Sequence, residues 1–229
     1  MGPGSATLVN NLERMNKGML YIADDELMAI QARARKLTQK INTMDRSDFD
    51  GIDALIKELF AESEDAHVNP PFYCDYDKNI YVGKNFFANY NCVILDVGKV
   101  IIGDNCQLAP NVSIYTAGHP VRPAARNTFY EYGIEVKIGD NVWIGGGSTI
   151  CPGVTIGDNC VIGSGSIVTK DIPAWSIAAG NPCKVIRKIT QDELFKYFKD
   201  LEADPEVKQA MQKIWSDNLN SPDFPVSPY

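Results

Sequence analysis

Two histidines are the whole imidazole inventory of this 229-residue chain. Only one stands where it could do acid–base work. His119 lies in Tyr115-Thr-Ala-Gly-His-Pro120, where a regular repeat breaks off. Neutral imidazole can take a proton from a hydroxyl near pH 7, and the glycine before it permits backbone angles closed to other residues. His67, in a polar stretch ahead of Pro70-Pro71, reads as a surface residue. The count excludes a zinc hydratase of the parallel β-helix type, which needs three histidine ligands.

Other residues could serve the same chemistry. Gly145, Gly146 and Gly147 allow close approach to the backbone, and their N–H groups could stabilise an oxyanion; tight coil corners would use glycine equally well. Thr169-Lys170, Lys184 and Arg187 place basic groups late in an acidic chain, suited either to phosphates or to a solvated face. Asn89 and Asn91 fit turn corners, because asparagine tolerates left-handed backbone. The six cysteines, Cys74, Cys92, Cys106, Cys151, Cys160 and Cys183, contain no C-x-x-C pair and read as reduced core thiols.

The elements that must position these groups follow a period of six. IGDNVW, IGGGST, ICPGVT, IGDNCV, IGSGSI and VTKDIP run without a gap from Ile138 to Pro173. Each opens on an aliphatic residue and carries a small or apolar residue at its fifth position. Neither a helix nor a plain strand has that period; a hexapeptide parallel β-helix does. Three hexads make a triangular coil whose leading aliphatics stack inward on those of its neighbours. Earlier coils begin near Ile80, led by Val82, Ala88, Ile94, Ile102, Leu108 and Ile114. The step from Ile94 to Ile102 is eight residues, so two bulge near Val97-Gly98. The pattern is lost from Ala117 to Glu135, an excursion carrying His119, Arg122, Arg126 and Glu131. A long loop in an unbroken solenoid points to function.

Around the coils, residues 10–69 read as a helical subdomain. Asp24 and Asp25 open one helix, with Leu27, Ile30, Ala34, Leu37 and Ile41 at helical spacing. Ser47 and Asp50 precede a second, with Ile52, Leu55, Ile56 and Leu59. Residues 70–189 form the β-helix, with 117–135 extruded. After a strand over Lys184–Ile189, residues 190–229 open with a capping box, Thr190-Gln-Asp-Glu193, and a capping helix through Leu194, Tyr197, Phe198 and Leu201. Residues 1–9 read as a tag-like leader, and Ser221 to Tyr229 as a poorly ordered tail. The net charge of −7 argues against a nucleic-acid partner. No apolar run reaches the length of a membrane span, and nothing resembles a signal peptide, so a cytoplasmic location is expected.

Cys74 to Lys188 resembles the maltose and galactoside O-acetyltransferases of the hexapeptide acyltransferase superfamily. The matching segments are Cys74-Asp-Tyr76, Asn85-Phe-Phe-Ala-Asn89, Leu95-Asp-Val97, Ile114-Tyr-Thr-Ala-Gly-His-Pro120, Asn141-Val-Trp-Ile-Gly145, Ile167-Val-Thr-Lys-Asp-Ile-Pro173 and Ala179-Gly-Asn-Pro182. Met19-Leu-Tyr21 and Arg33-Ala-Arg35 look like the small helical domain of these enzymes. The resemblance spans about Glu13 to Ile189, and Leu95-Asp-Val97 is similar to the maltose branch.

That resemblance implies a left-handed coil, against the usual right-handed crossover. It implies an acetyl-CoA-dependent O-acetyltransferase for a sugar hydroxyl that needs no metal and works as a homotrimer with the coenzyme channel between coils. His119 then matches the general base. Asp75 and Asn89 match acceptor contacts, and the Asp24/Asp25 pair, taken as Asp25, stands where a further acceptor carboxylate is expected. Gly146 matches a backbone donor near the thioester, and Trp143 looks like a channel wall. Ser164, Thr169, Lys170, Lys184 and Arg187 match positions along the pantetheine and phosphates. The alternatives are a non-sugar acceptor, such as an antibiotic or serine, and an inactive scaffold.

Overall fold

The computed structural model describes residues 10–199 and 201–218; the tag-like leader and the tail from Ser221 lie outside the described residues. The chain winds as a parallel β-helix with three faces. Face 1 stacks Ile80–Val82, Val100–Ile102, Val136–Ile138 and Thr155–Ile156. Face 2 stacks His67–Val68, Phe87–Ala88, Gln107–Leu108, Trp143–Ile144, Val161–Ile162 and Ser176–Ala179. Face 3 stacks Phe72–Cys74, Cys92–Leu95, Ser113–Tyr115, Thr149–Ile150 and Ile167–Val168. The pairs within each face are parallel and in register, so the leading residues form columns such as Ala88, Leu108, Ile144, Ile162 and Ala178. All six hexad leaders from Ile138 to Val168 are buried, as are the fifth positions Val142, Ser148, Val154, Cys160, Ser166 and Ile172. Truncating such an isoleucine to alanine removes contacts from the coils on both sides and costs about 2–5 kcal/mol.

The solenoid starts earlier than Ile80. His67–Val68 pairs with Phe87–Ala88, and Phe72–Cys74 with Cys92–Leu95, so Pro70-Pro71 lies inside the first coil rather than ahead of it. The hexad pattern hides this coil because no aliphatic run precedes it.

The turn from face 1 to face 2 is a repeated device. Asn85, Asn105, Asn141 and Asn159 all have positive φ. The carboxylates of Asp104, Asp140 and Asp158 accept the N–H of Lys84, Asp104 and Asp140 at 2.8, 2.8 and 2.9 Å, one coil to the next. Gly103 precedes this turn because a Cβ there would lie 2.1 Å from Asp140 Oδ1.

Helices close the first coil. α1 spans Asn11–Asn16, α2 Asp25–Thr43 and α3 Phe49–Leu59. Asp24 caps α2, accepting from Leu27 N at 3.1 Å. Asp48 caps α3, accepting from Gly51 N at 3.0 Å, so the cap is neither Ser47 nor Asp50. Ile52, Leu55, Ile56 and Leu59 pack on the coil core. The Asn42 amide then substitutes for a missing strand: it donates to Phe72 O at 2.9 Å and accepts from Phe72 N at 2.8 Å.

At the other end, Lys184–Lys188 pairs antiparallel with Ser176–Ala179 and finishes face 2. The helix expected through Leu194 to Leu201 is not there. A 3-10 turn, Gln191–Glu193, carries the capping box, with Thr190 N donating to Glu193 Oε2 at 3.0 Å. An antiparallel hairpin follows, Lys196–Phe198 against Leu201–Glu202. The helix comes after it, over Pro205–Asn218, where proline suits the first helical position. The aromatic run Phe195, Tyr197 and Phe198 favours a strand over the helical spacing read from it. All six cysteines are free; burial pushes the Cys106 thiol up to about 12 and Cys92 to about 11.

Surplus residues leave the coil at one corner, between face 3 and face 1. Cys74 to Val82 and Ile94 to Ile102 are the eight-residue steps, and the excursion after Ser113–Tyr115 emerges directly beneath them. Asp96 organises this corner. It is fully buried, and its Oδ1 accepts from the N–H of both Asp75 and Tyr76 at 2.9 Å, while Oδ2 has no partner. Burial pushes its carboxyl up to about 7, against the two N–H groups that pull it down. The folded chain therefore holds a proton between about pH 4 and about pH 7 that the unfolded chain has released. Stability from this group falls as pH rises through that window, by at most about 1.4 kcal/mol per pH unit. Asp96→Asn should remove the slope. Urea midpoints of variant and parent chain should move apart in the variant's favour from about pH 5 to about pH 8, on top of any constant offset. Parallel curves would mean that Asp96 ionises normally.

Candidate active site

His119 sits at the root of the excursion. Thr116 fixes that root: its buried hydroxyl donates to Leu95 O at 2.6 Å and accepts from Gly98 N at 2.8 Å. Ala117–Gly118 then pairs antiparallel with Tyr132–Gly133. Gly118 is not needed for unusual backbone angles, since its φ is not positive. It is needed for space, because a Cβ there would lie 2.5 Å from the Tyr132 ring. Between the two strands, Pro123–Arg126 forms one turn, α4, and Arg126 ties it back by donating to Val121 O at 2.9 Å.

The N-terminal segment pins the excursion from outside. Tyr21 and Glu131 exchange both backbone hydrogen bonds at 3.0 Å. The fully buried Tyr21 side chain donates its hydroxyl to Glu131 Oε1 at 2.6 Å and lies 3.3 Å from the Tyr76 hydroxyl. Burial first, and then Glu131 and Tyr76, push the Tyr21 hydroxyl far above its usual range, so it remains a donor. The second carboxylate oxygen, Glu131 Oε2, stands 4.0 Å from His119 Nε2. Ile22, Ala23, His119, Arg126, Asn127, Phe129 and Glu131 line an open cleft of about 660 Å³.

Asp75 belongs to this neighbourhood. Burial pushes its carboxyl up, Arg35 pulls it down, and Glu131 raises it further. Asp25 is not among the residues that line the cleft. It is exposed in the first turn of α2, and Asp24 is occupied with Leu27 N and with the Asn11 amide at 3.0 Å. Ile22 and Ala23 are what this segment offers to the cleft.

The remaining candidates stand elsewhere on the prism. Asn89, Gly146 and Ser164 lie at the corner between faces 2 and 3, on different coils, and Trp143 is 54% exposed on the outside of face 2. Asn89 Oδ1 accepts from Tyr90 N at 2.8 Å, a turn-corner contact. Thr169 and Lys170 are exposed at the same corner as His119, further along the coil axis. Lys184 and Arg187 are exposed on the last strand of face 2, where Arg187 forms a bidentate pair with Glu193 at 2.6 and 2.7 Å. One chain thus places His119 and Asp75 at one edge, each near Glu131, but leaves Asn89, Trp143, Gly146 and Ser164 on another. Glu131, Tyr21 and Tyr76 are the additions that sequence reasoning did not assign. Glu131 had a signal, being a carboxylate in the same excursion as the histidine. Among the described residues, no group of three or more His, Cys, Asp and Glu could hold a metal ion, and no helix is long and apolar enough to cross a membrane.

Comparison with known proteins gives the family of this fold. Residues 135–170 match the family described as bacterial transferase hexapeptide (six repeats), and residues 14–63 match the maltose acetyltransferase hexapeptide capping motif. A putative acetyltransferase of Saccharomyces cerevisiae is 51% identical over 80% of this chain and 94% of its own length. The galactoside O-acetyltransferase of Escherichia coli is 46% identical over 85% of this chain and 97% of its own. Among solved structures, a maltose O-acetyltransferase from Clostridium difficile superposes with a TM-score of 0.78 at 50% identity, covering 79% of this chain and 98% of that one. A galactoside acetyltransferase in complex with coenzyme A gives 0.81 at 45% identity, covering 85% and 98%. The chain is an acyltransferase and belongs to the maltose and galactoside O-acetyltransferase family of hexapeptide-repeat proteins.

Proposed function

We propose that the chain transfers an acetyl group from acetyl-CoA to a hydroxyl of a sugar, as a homotrimer with its sites between subunits. The observation that carries this reading is His119 at the wall of an open cleft, with Glu131 beside it and Asp75 close enough to Glu131 to feel its charge. An imidazole for the proton and carboxylates for hydroxyl donors make a site for a neutral polyol. The maltose and galactoside acetyltransferases among its relatives support the acceptor class, and the coenzyme A in one of their structures supports the donor.

The residues on face 2 and its corner with face 3 fit that donor. Trp143 offers an exposed flat surface for a pantetheine arm. Gly147 and Gly165 have φ of +70° and +71°, and a Cβ on either would meet nothing within 4 Å, so the corner is open to an extended ligand. A Cβ on Gly146 would crowd Pro110 O at 3.0 Å, so the position favours glycine. Lys184 and Arg187 on the last strand of face 2, with Lys170 from the His119 corner, supply cations for phosphates.

The thioester supplies an activated acyl carbon. His119 takes the acceptor proton as the hydroxyl oxygen bonds to that carbon, and later returns it to the departing thiolate. Gly145 N already donates to Ile162 O and Gly147 N to Pro110 O, so the Gly146 N–H is the donor of this run that would face the oxyanion. This requires the His119 corner of one coil to face the Asn89 and Gly146 corner of another. A cyclic assembly of identical chains meets that requirement at each interface.

His119→Ala should lower kcat about 10²-fold or more while coenzyme A binding stays nearly unchanged. Activity within threefold of the parent would remove His119 from the mechanism. Lys170→Ala with Arg187→Ala should raise the KM for acetyl-CoA and weaken its dependence on salt. If only the acceptor KM moved, the coenzyme placement would be wrong. Light scattering should give about three times the 25.3 kDa chain mass. A monomer fully active on dilution would sink the shared site and leave the acetyl-transfer chemistry standing.

A further inference from the structure

We infer that Glu131 is an acceptor-binding carboxylate that selects a vicinal diol: its Oε2 accepts a hydrogen bond from the hydroxyl next to the one that His119 deprotonates. The inference rests on the sugar acetyltransferase reading and adds which arrangement of hydroxyls the site requires.

Three observations carry it. His119 Nε2 and Glu131 Oε2 are 4.0 Å apart, beyond the 2.7–3.2 Å of an N–H···O bond, so the two do not satisfy each other. Both line the same cleft, and the gap between them is wide enough for an acceptor oxygen to approach each. The other oxygen, Oε1, is committed to Tyr21, and the Glu131 backbone is bonded to Tyr21 in both directions. The carboxylate is therefore held in place before any ligand arrives, and little ordering remains for binding to cost.

The proton count then calls for a second hydroxyl. The reacting hydroxyl has one proton, and the base takes it, so that hydroxyl has nothing to donate to Oε2. A second donor must come from another hydroxyl of the acceptor, and with Oε2 only 4.0 Å from Nε2 the one on the neighbouring carbon is best placed. An ionised acceptor is bonded about twice as strongly as a neutral one, and an acceptor lacking that hydroxyl leaves the carboxylate unpaired. With Asp75 close by, the pair also disfavours anionic acceptors.

The test begins with the parent protein and glucose, galactose and maltose, to find which sugar it acetylates; monodeoxy derivatives of that sugar then serve as probes. Glu131→Gln should raise the acceptor KM about tenfold to a hundredfold, with the KM for acetyl-CoA unchanged. One monodeoxy derivative, missing the hydroxyl next to the acetylated one, should show a similar loss with the parent protein and no further loss with the variant. Tyr21→Phe, which releases Oε1, should raise the same KM by a smaller factor, and it carries the test if Glu131→Gln does not fold. Losses that multiply, a fall in kcat with the acceptor KM unchanged, or a silent Tyr21→Phe would overturn the assignment to Glu131 while the sugar reading stood. Acetylation of none of the sugars would overturn the sugar reading, and this inference with it.

Discussion

Successive coils are bonded backbone to backbone at equivalent positions, and that registry constrains everything else. Gly83 N donates to Ile102 O, Gly103 N to Ile138 O, and Gly139 N to Ile156 O, at 2.9, 2.9 and 2.8 Å. Each coil must therefore repeat the path of the coil before it. Face strands cannot absorb an extra residue, because a one-residue slip would turn the buried column outward. Surplus chain can leave only at a corner, and in this protein it leaves at the corner between faces 3 and 1. Both eight-residue steps and the long excursion are there, and His119 with them.

That corner is costly to build, and its polar groups show how it is held. Asp96 is buried without a partner for Oδ2, yet it fixes the two N–H groups of the Asp75-Tyr76 turn. Thr116 closes the start of the excursion, and Tyr21 reaches in to hold its return at Glu131. Charge and hydroxyl groups are gathered at one edge while the interior remains aliphatic. The helical unit contributes twice: Asn42 and α3 seal the exposed end of the first coil, and the segment before α2 completes the cleft. Loss of α2 packing would thus affect both stability and the cleft, although α1, α2 and α3 contribute no residue to its lining.

The separation of the two edges is the reason for proposing an assembly of identical chains. A triangular coil presents flat faces, and neither the His119 edge nor the Trp143 face encloses a substrate. A ligand between two coils would lose water on both sides and meet a base from one and backbone donors from the other. Arg187 adds a local condition, since its guanidinium is already paired with Glu193, and a phosphate would have to share or displace that carboxylate.

The sequence by itself determined the coil. A strict period of six, with aliphatics leading and small residues fifth, has one packing solution, and each predicted column is buried. It also marked the excursion, because a broken period needs no tertiary information to be seen, and it singled out His119 by scarcity. Tertiary structure decided what no period encodes. The first coil, through His67–Val68 and Phe72–Cys74, is formed by pairing with strands twenty residues later. The stretch from Leu194 to Leu201 became a hairpin because short aromatic runs fit either period. Asp24 went to a helix cap and Asp25 to solvent, a difference set by where α2 begins. Gly118 serves the Tyr132 ring across a strand pair that only the folded excursion creates. Glu131 gained its place beside His119 because Tyr21, 110 positions away, donates to it. Local pattern is written along the chain, but the meeting of distant side chains depends on how corners stack, and only the fold supplies that.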